Sequence, residues 1–108
     1  MTALAEFEKI EAVGIWRADA EAQRRDVIIT LGDASLTIFD MQDRVLAHWS
    51  IPAIARANSG QMPAIYHPDG DSDETLELDA ESDVMIEAIE KLRKAVARSR
   101  PRPGRLRV

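Results

Sequence analysis

No cysteine occurs in the 108 residues, which excludes a disulfide framework, thiolate metal sites and a cysteine nucleophile. Long apolar runs are missing too. The longest uncharged, apolar-leaning stretch is Val45 to Ala55, eleven residues, far short of the ~20 that a membrane helix needs. Glu6, Glu8 and Glu11 interrupt the N-terminus, so it does not read as a signal peptide; the expected compartment is the cytoplasm. Gly-x-Ser-x-Gly, P-loop and Gly-x-Gly-x-x-Gly patterns are absent, which removes the usual signatures of hydrolase and nucleotide chemistry. Residues 93–108 lack acidic side chains altogether and carry seven basic ones, a balance of +7. The first 92 residues hold seven basic against nineteen acidic side chains, a balance of −12. A body of that charge argues against a nucleic-acid partner, since phosphate binding needs a positive footprint.

What is present suits one domain. A chain of this size buries roughly 65% of its unfolded surface. Sixteen alanines contribute little burial each, but 26 Ile, Val, Leu and Phe residues suffice for a core. Overall disorder is therefore excluded.

Leu4, Phe7, Ile10 and Val13 recur every three residues, which predicts a short amphipathic helix, or a helix leading into a strand at Ile15-Trp16. Arg17 to Asp26 has no large apolar side chain and reads as a polar loop. Val27, Ile29 and Leu31 alternate with Ile28 and Thr30, the pattern of a strand buried on at least one face. A Gly32-Asp33 turn and the run Leu36, Ile38, Phe39 complete a hairpin. A third strand places Val45, Ala47, Trp49 and Ile51 on one face and ends at Pro52. Weaker strands fall at Ile54 to Ala57 and Ala64 to His67. Pro68 to Glu74 is an acidic loop, and Leu76 and Leu78 mark one more strand. Ser82 to Ser99 is a helix with the stripe Met85, Ala88, Ile89, Leu92 and Val96. Asp79 or Ser82 is its expected cap, and Glu87–Lys91 and Glu90–Lys94 are its expected pairs.

Antiparallel strands closed by one C-terminal helix have few compact solutions, because the helical stripe must be buried against the sheet. The predicted class is α+β, mostly antiparallel β. In this order, over residues ~10–98, the chain resembles the pleckstrin-homology-like fold. That resemblance implies a split barrel of about seven short strands capped by a C-terminal amphipathic helix. The phrases QRRDVIITLGDASLTIFD, HWSIPAIARAN, ETLELD and RPRPGRLR also resemble the N-terminal region of bacterial proteins in which a membrane segment and a further domain follow the basic tail. Residues 1–99 are thus expected to form one domain, and 100–108 a disordered Pro/Arg tail.

The site residues divide into three groups. Arg17, Arg24 and Arg25 occupy the segment with which some pleckstrin-homology domains hold phosphoinositide headgroups. Here Asp19, Glu21 and Asp26 neutralise them, and a polar loop is the simpler reading. Arg98, Arg100, Arg102, Arg105 and Arg107 form the basic tail: a solvated extension, a juxtamembrane linker held on the cytoplasmic side, or a contact for an acidic partner. Trp49, Ile51, Ile54 and Arg56 surround a candidate edge strand that Pro52 permits only at a sheet margin. Such an edge invites a partner's strand or a second copy.

Asp69, Asp71 and Asp73 open like a calcium loop, but Glu74 and Ala80 stand where glycine and a bidentate glutamate belong; they read as a solvated turn. No metal or cofactor is expected. The six serines lie in turn, strand or cap contexts. The expected function is a non-catalytic binding or scaffolding module, the N-terminal cytoplasmic domain of a larger membrane-anchored protein. The alternative is a small-molecule sensor or small enzyme built around Trp49, Tyr66 and His48 or His67, which would require a histidine and a carboxylate to converge in an apolar cleft.

Overall fold

The computed structural model describes residues 10–99 apart from Asp33. Seven strands follow one another: β1 (Glu11–Arg17), β2 (Arg25–Leu31), β3 (Ser35–Phe39), β4 (Val45–Ser50), β5 (Ile54–Arg56), β6 (Ala64–Pro68) and β7 (Thr75–Leu78). One helix, α1 (Asp83–Ser99), ends the series. All pairings are antiparallel, in the order β4-β3-β2-β1-β7-β6-β5. The sheet curls into a nearly closed barrel.

The two halves of the barrel, β1–β4 and β5–β7, meet at the β1–β7 seam, where Ile15 pairs Glu77 and Trp16 pairs Leu76. Gly14 makes this seam possible. A Cβ there would lie 2.8 Å from Leu78 Cδ2 and 2.9 Å from the Glu77 carbonyl oxygen, closer than real packing allows. Alternation then fills the interior. Val27, Ile29, Leu31, Leu36, Ile38, Leu76 and Leu78 all point inward and are buried.

Helix α1 covers the core with Met85, Ile86, Ala88, Ile89 and Leu92, as its apolar stripe requires. Val96, the last stripe residue, lies where side chains are not described. The helix begins at Asp83, after a 3-10 turn over Ala80–Ser82 whose first N–H groups fold back on Asp79: the Glu81 N–H donates to Asp79 Oδ1 at 3.0 Å. Ser82 does not cap. Its hydroxyl donates to the Val13 carbonyl at 3.2 Å and ties the helix start to β1.

Several expectations are corrected. Glu11, Ala12 and Val13 are strand, not helix, because they pair with β2 at Thr30, Ile29 and Ile28. The helix expected before them lies outside the described residues. Val45 does not share the Trp49 face: the register shifts between Ile38 and Phe39, a bulge that turns Val45 outward. Glu90 bonds Arg93 and Arg56 rather than Lys94, since those guanidiniums also reach β5 and offer it a fixed geometry.

Candidate functional site

The expected interaction surface is mostly interior. Trp49, Ile51 and Ile54 are 5%, 1% and 6% exposed, so they offer a partner no apolar side chain. Pro52 sits in a 3-10 turn, Ile51–Ala53, which swings Ile51 and Ile54 under α1 instead of along the surface. β5 does stand at one end of the sheet. Its residues facing β6 are Ala53, bonded to the Asp69 N–H, and Ala57, bonded to the Ile65 carbonyl. By alternation the Ile54 backbone points away from the sheet. Both of its groups are taken: the N–H donates to the Ile51 carbonyl, and the carbonyl accepts from Arg93 Nε at 3.2 Å. The margin expected to be open is closed by its own helix.

Arg56 is also used internally. It donates to the Gln61 carbonyl at 2.7 Å and pairs Glu90 at 3.4 Å. Its guanidinium lies 5.7 Å from the centre of the Tyr66 ring, within cation–π range. Tyr66 donates to Glu90 Oε2 at 2.7 Å. Burial, and then the bond to Glu90, push the Tyr66 phenol well above its ordinary value, so it stays a protonated donor.

The opposite margin is different. β4 pairs only with β3. The Ile51 N–H donates to the Ala34 carbonyl, so Ile51, Trp49 and Ala47 turn their backbones to β3 and His48 turns its own outward. Among the described residues, the His48 N–H and carbonyl have no hydrogen-bond partner. The exposed His48 ring meets only Thr37 Oγ1, at 3.1 Å from Nδ1. His67 Nδ1 meets the Pro68 carbonyl at 2.8 Å. Neither histidine bonds a carboxylate, so the geometry required for the enzyme reading is not assembled by either ring.

The arginines of the β1–β2 region have partners the sequence did not show. Arg24 pairs Glu77 across the seam at 2.6 Å, and Arg25 lies 3.9 Å from Asp40. Asp19 instead closes its own turn by accepting from the Glu21 N–H. The Arg17 Nε is buried without a hydrogen-bond partner among the described residues. Of the basic tail, Arg98 falls on α1 without a described side chain, and Arg100, Arg102, Arg105 and Arg107 lie outside the described residues.

Two carboxylates were missed by sequence reasoning. Glu74, at the end of the acidic loop, accepts from Trp16 Nε1 at 3.0 Å and from Trp49 Nε1 at 2.9 Å, both on Oε2. It therefore pins the loop to β1 and β4 at once. Asp40 is buried in the β3–β4 turn. It accepts from the Gln42 and Arg44 N–H groups at 2.8 and 3.0 Å and from Arg44 Nε at 2.9 Å. The Arg44 backbone bond, followed by the Gln42 bond and the Arg44 guanidinium, holds the Asp40 carboxyl below its ordinary 3.8 against the opposing effect of burial. Stability from Asp40 is therefore present above about pH 3.8 and lost as pH falls below it through the depressed native value. Denaturant titrations of wild type and Asp40→Asn should show a gap that narrows from about pH 5 to about pH 2. A gap of constant size across that range would contradict this.

Among the described residues no group of three or more histidines or carboxylates is placed to hold a metal ion. Asp69, Asp71 and Asp73 form a turn in which Gly70 has φ of 87° and Asp71 accepts from the Asp73 N–H.

No family model matches the chain, and no curated protein matches it. Solved structures do. The chain is similar to the DH/PH domain of human ARHGEF11, in a ternary complex with human RhoA and its inhibitor. The identity is 13% and the TM-score 0.59, over 80% of this chain and 28% of that one. It is similar as well to Vav1 bound to an allosteric inhibitor that blocks its GEF activity, with 16% identity and a TM-score of 0.58 over 85% and 28%. The chain thus spans under a third of either protein. At these identities the likeness defines the fold: a pleckstrin-homology-like split barrel capped by a C-terminal helix.

Proposed function

We propose that the chain is a non-catalytic binding and scaffolding module that engages a protein strand at β4, and that it serves as the N-terminal cytoplasmic domain of a larger, membrane-anchored bacterial protein. The observation that carries the binding reading is the asymmetry of the two sheet margins. At β5 the outward Ile54 groups are bonded within the chain, while at β4 the outward His48 groups are not. An unpaired N–H and C=O on an edge strand is a template for strand addition. The carboxylates with the most contacts are already committed to the fold: Glu74 to two indoles, Glu90 to Tyr66 and two arginines, Asp40 to its turn. The membrane reading is supported by the arginine-rich end, which matches the residues that stay cytoplasmic beside a membrane segment.

A second copy of the chain is the partner available for a direct test. His48→Pro removes the outward N–H without removing a β3 ladder bond, because that N–H does not face β3. Sedimentation equilibrium should show wild type associating as its concentration rises and His48→Pro remaining monomeric with an unchanged circular dichroism spectrum. A wild type that stays monomeric throughout, or a variant that associates equally, would overturn strand pairing at β4. For the membrane reading, the complete gene product should float with vesicles; a soluble product refutes it.

A further inference from the structure

The outer face of the barrel carries an apolar row that crosses four strands. Val13 on β1 is paired with Ile28 on β2, Ile28 with Phe39 on β3, and Phe39 with Val45 on β4. Their neighbours in sequence, Gly14, Val27, Ile29 and Ile38, are the ones buried inside. The row's two ends, Val13 and Val45, are 58% and 61% exposed. Met41, in the turn that joins Phe39 to Val45, is exposed as well. A polar row runs alongside, through the paired residues Glu11, Thr30, Thr37 and His48. An apolar stripe with a polar rim marks a docking surface.

The chain supplies a segment of matching period. Leu4 and Phe7 are large apolar residues spaced by three, and the same spacing leads to Ile10 and to Val13 itself. Ile10 is the residue immediately before β1. Three residues of helix advance ~4.5 Å, and neighbouring strands lie ~4.8 Å apart. A helical segment laid across the strands therefore sets successive apolar residues over successive strands. We infer that residues 1–9 dock on this row within the same chain, with Phe7 over Ile28 and Leu4 over Phe39 and Val45.

Charge separates this location from the other opening within reach, a groove of about 530 Å³ between the start of β1 and the start of α1. That groove is lined by Ile10, Val84 and Met85 but also by Glu11, Asp79 and Glu81, which repel Glu6 and Glu8 of the segment. The row instead ends beside Arg44, the residue before Val45.

A chain without cysteine allows one thiol to report each surface. Val45→Cys reports the row and Val84→Cys, also an exposed valine, the groove. Each is placed in the full-length chain with and without Leu4→Asp/Phe7→Asp, and modification by a maleimide is timed. The double substitution should speed labelling of Val45→Cys about tenfold, the factor for a segment docked about nine-tenths of the time, and leave Val84→Cys unchanged. Equal rates at Val45→Cys would overturn the inference, as would acceleration at Val84→Cys alone. Protection at Val45→Cys that grows with protein concentration would assign the row to a second copy and overturn it too.

Discussion

Leu92→Ala should destabilise the protein by about 2–5 kcal/mol, the range for a buried leucine whose cavity cannot fully collapse. Leu92 is 3% exposed and sits on the α1 face that closes the core, one turn beyond Ile89. Nothing flexible is at hand to fill the space, because the helix is fixed at both ends of its contact. Ser82 bonds the Val13 carbonyl at the start, and Arg93 bonds Ile54 and Glu90 beyond Leu92. Thermal unfolding followed by circular dichroism should show a lower midpoint, by roughly 4 °C for each kcal/mol lost. Val84→Ala, on the exposed side of the same helix, should change stability by less than about 0.5 kcal/mol. If the two variants behaved alike, α1 would not be docked on the barrel.

Glu74→Ala should cost about 2–4 kcal/mol, because it strands two indole N–H groups at once and each buried unsatisfied donor costs roughly 1–3 kcal/mol. Both tryptophans are buried, and both of their listed side-chain bonds end on the same carboxylate oxygen. Glu74→Gln keeps an acceptor oxygen and should lose about half as much. Trp16→Phe in the Glu74→Ala background should recover part of the loss, since it removes one of the stranded donors. Denaturant unfolding of the four proteins forms the cycle. A Glu74→Ala change below about 0.5 kcal/mol, as at a solvated loop position, would refute the clasp.

The architecture was readable from local pattern. Val27, Ile29 and Leu31 alternate cleanly because β2 has one buried face, and the stripe on α1 is visible because one helix covers one core. Val45 was misread because a bulge changes which face a residue takes without leaving a mark in the residues themselves. Glu11 to Val13 were assigned to a helix because a spacing of three is compatible with both periods when the run is short, and the pairing with β2 decided the matter.

The candidate site was less legible than the fold. Trp49, Ile51 and Ile54 were placed at a margin, and Pro52 did mark the end of a strand. The 3-10 turn at that proline, however, carries the apolar side chains inward. The closure of β5 depends on Arg93, 39 residues away, and no local rule connects the two. The partners of Arg24, Arg25, Trp16 and Trp49 are likewise set by which strands the barrel brings together. Charge counting within the β1–β2 loop found the neutrality but chose the wrong carboxylates.

The clasp at Glu74 also governs what light can report from this molecule. Both indoles of the chain hydrogen-bond to one oxygen atom, so their emission comes from a single locality. A shift in tryptophan fluorescence reads the release of the acidic loop from β1 and β4. It is silent about the far end of α1, and an opening there would pass unseen in an optical titration that looked two-state.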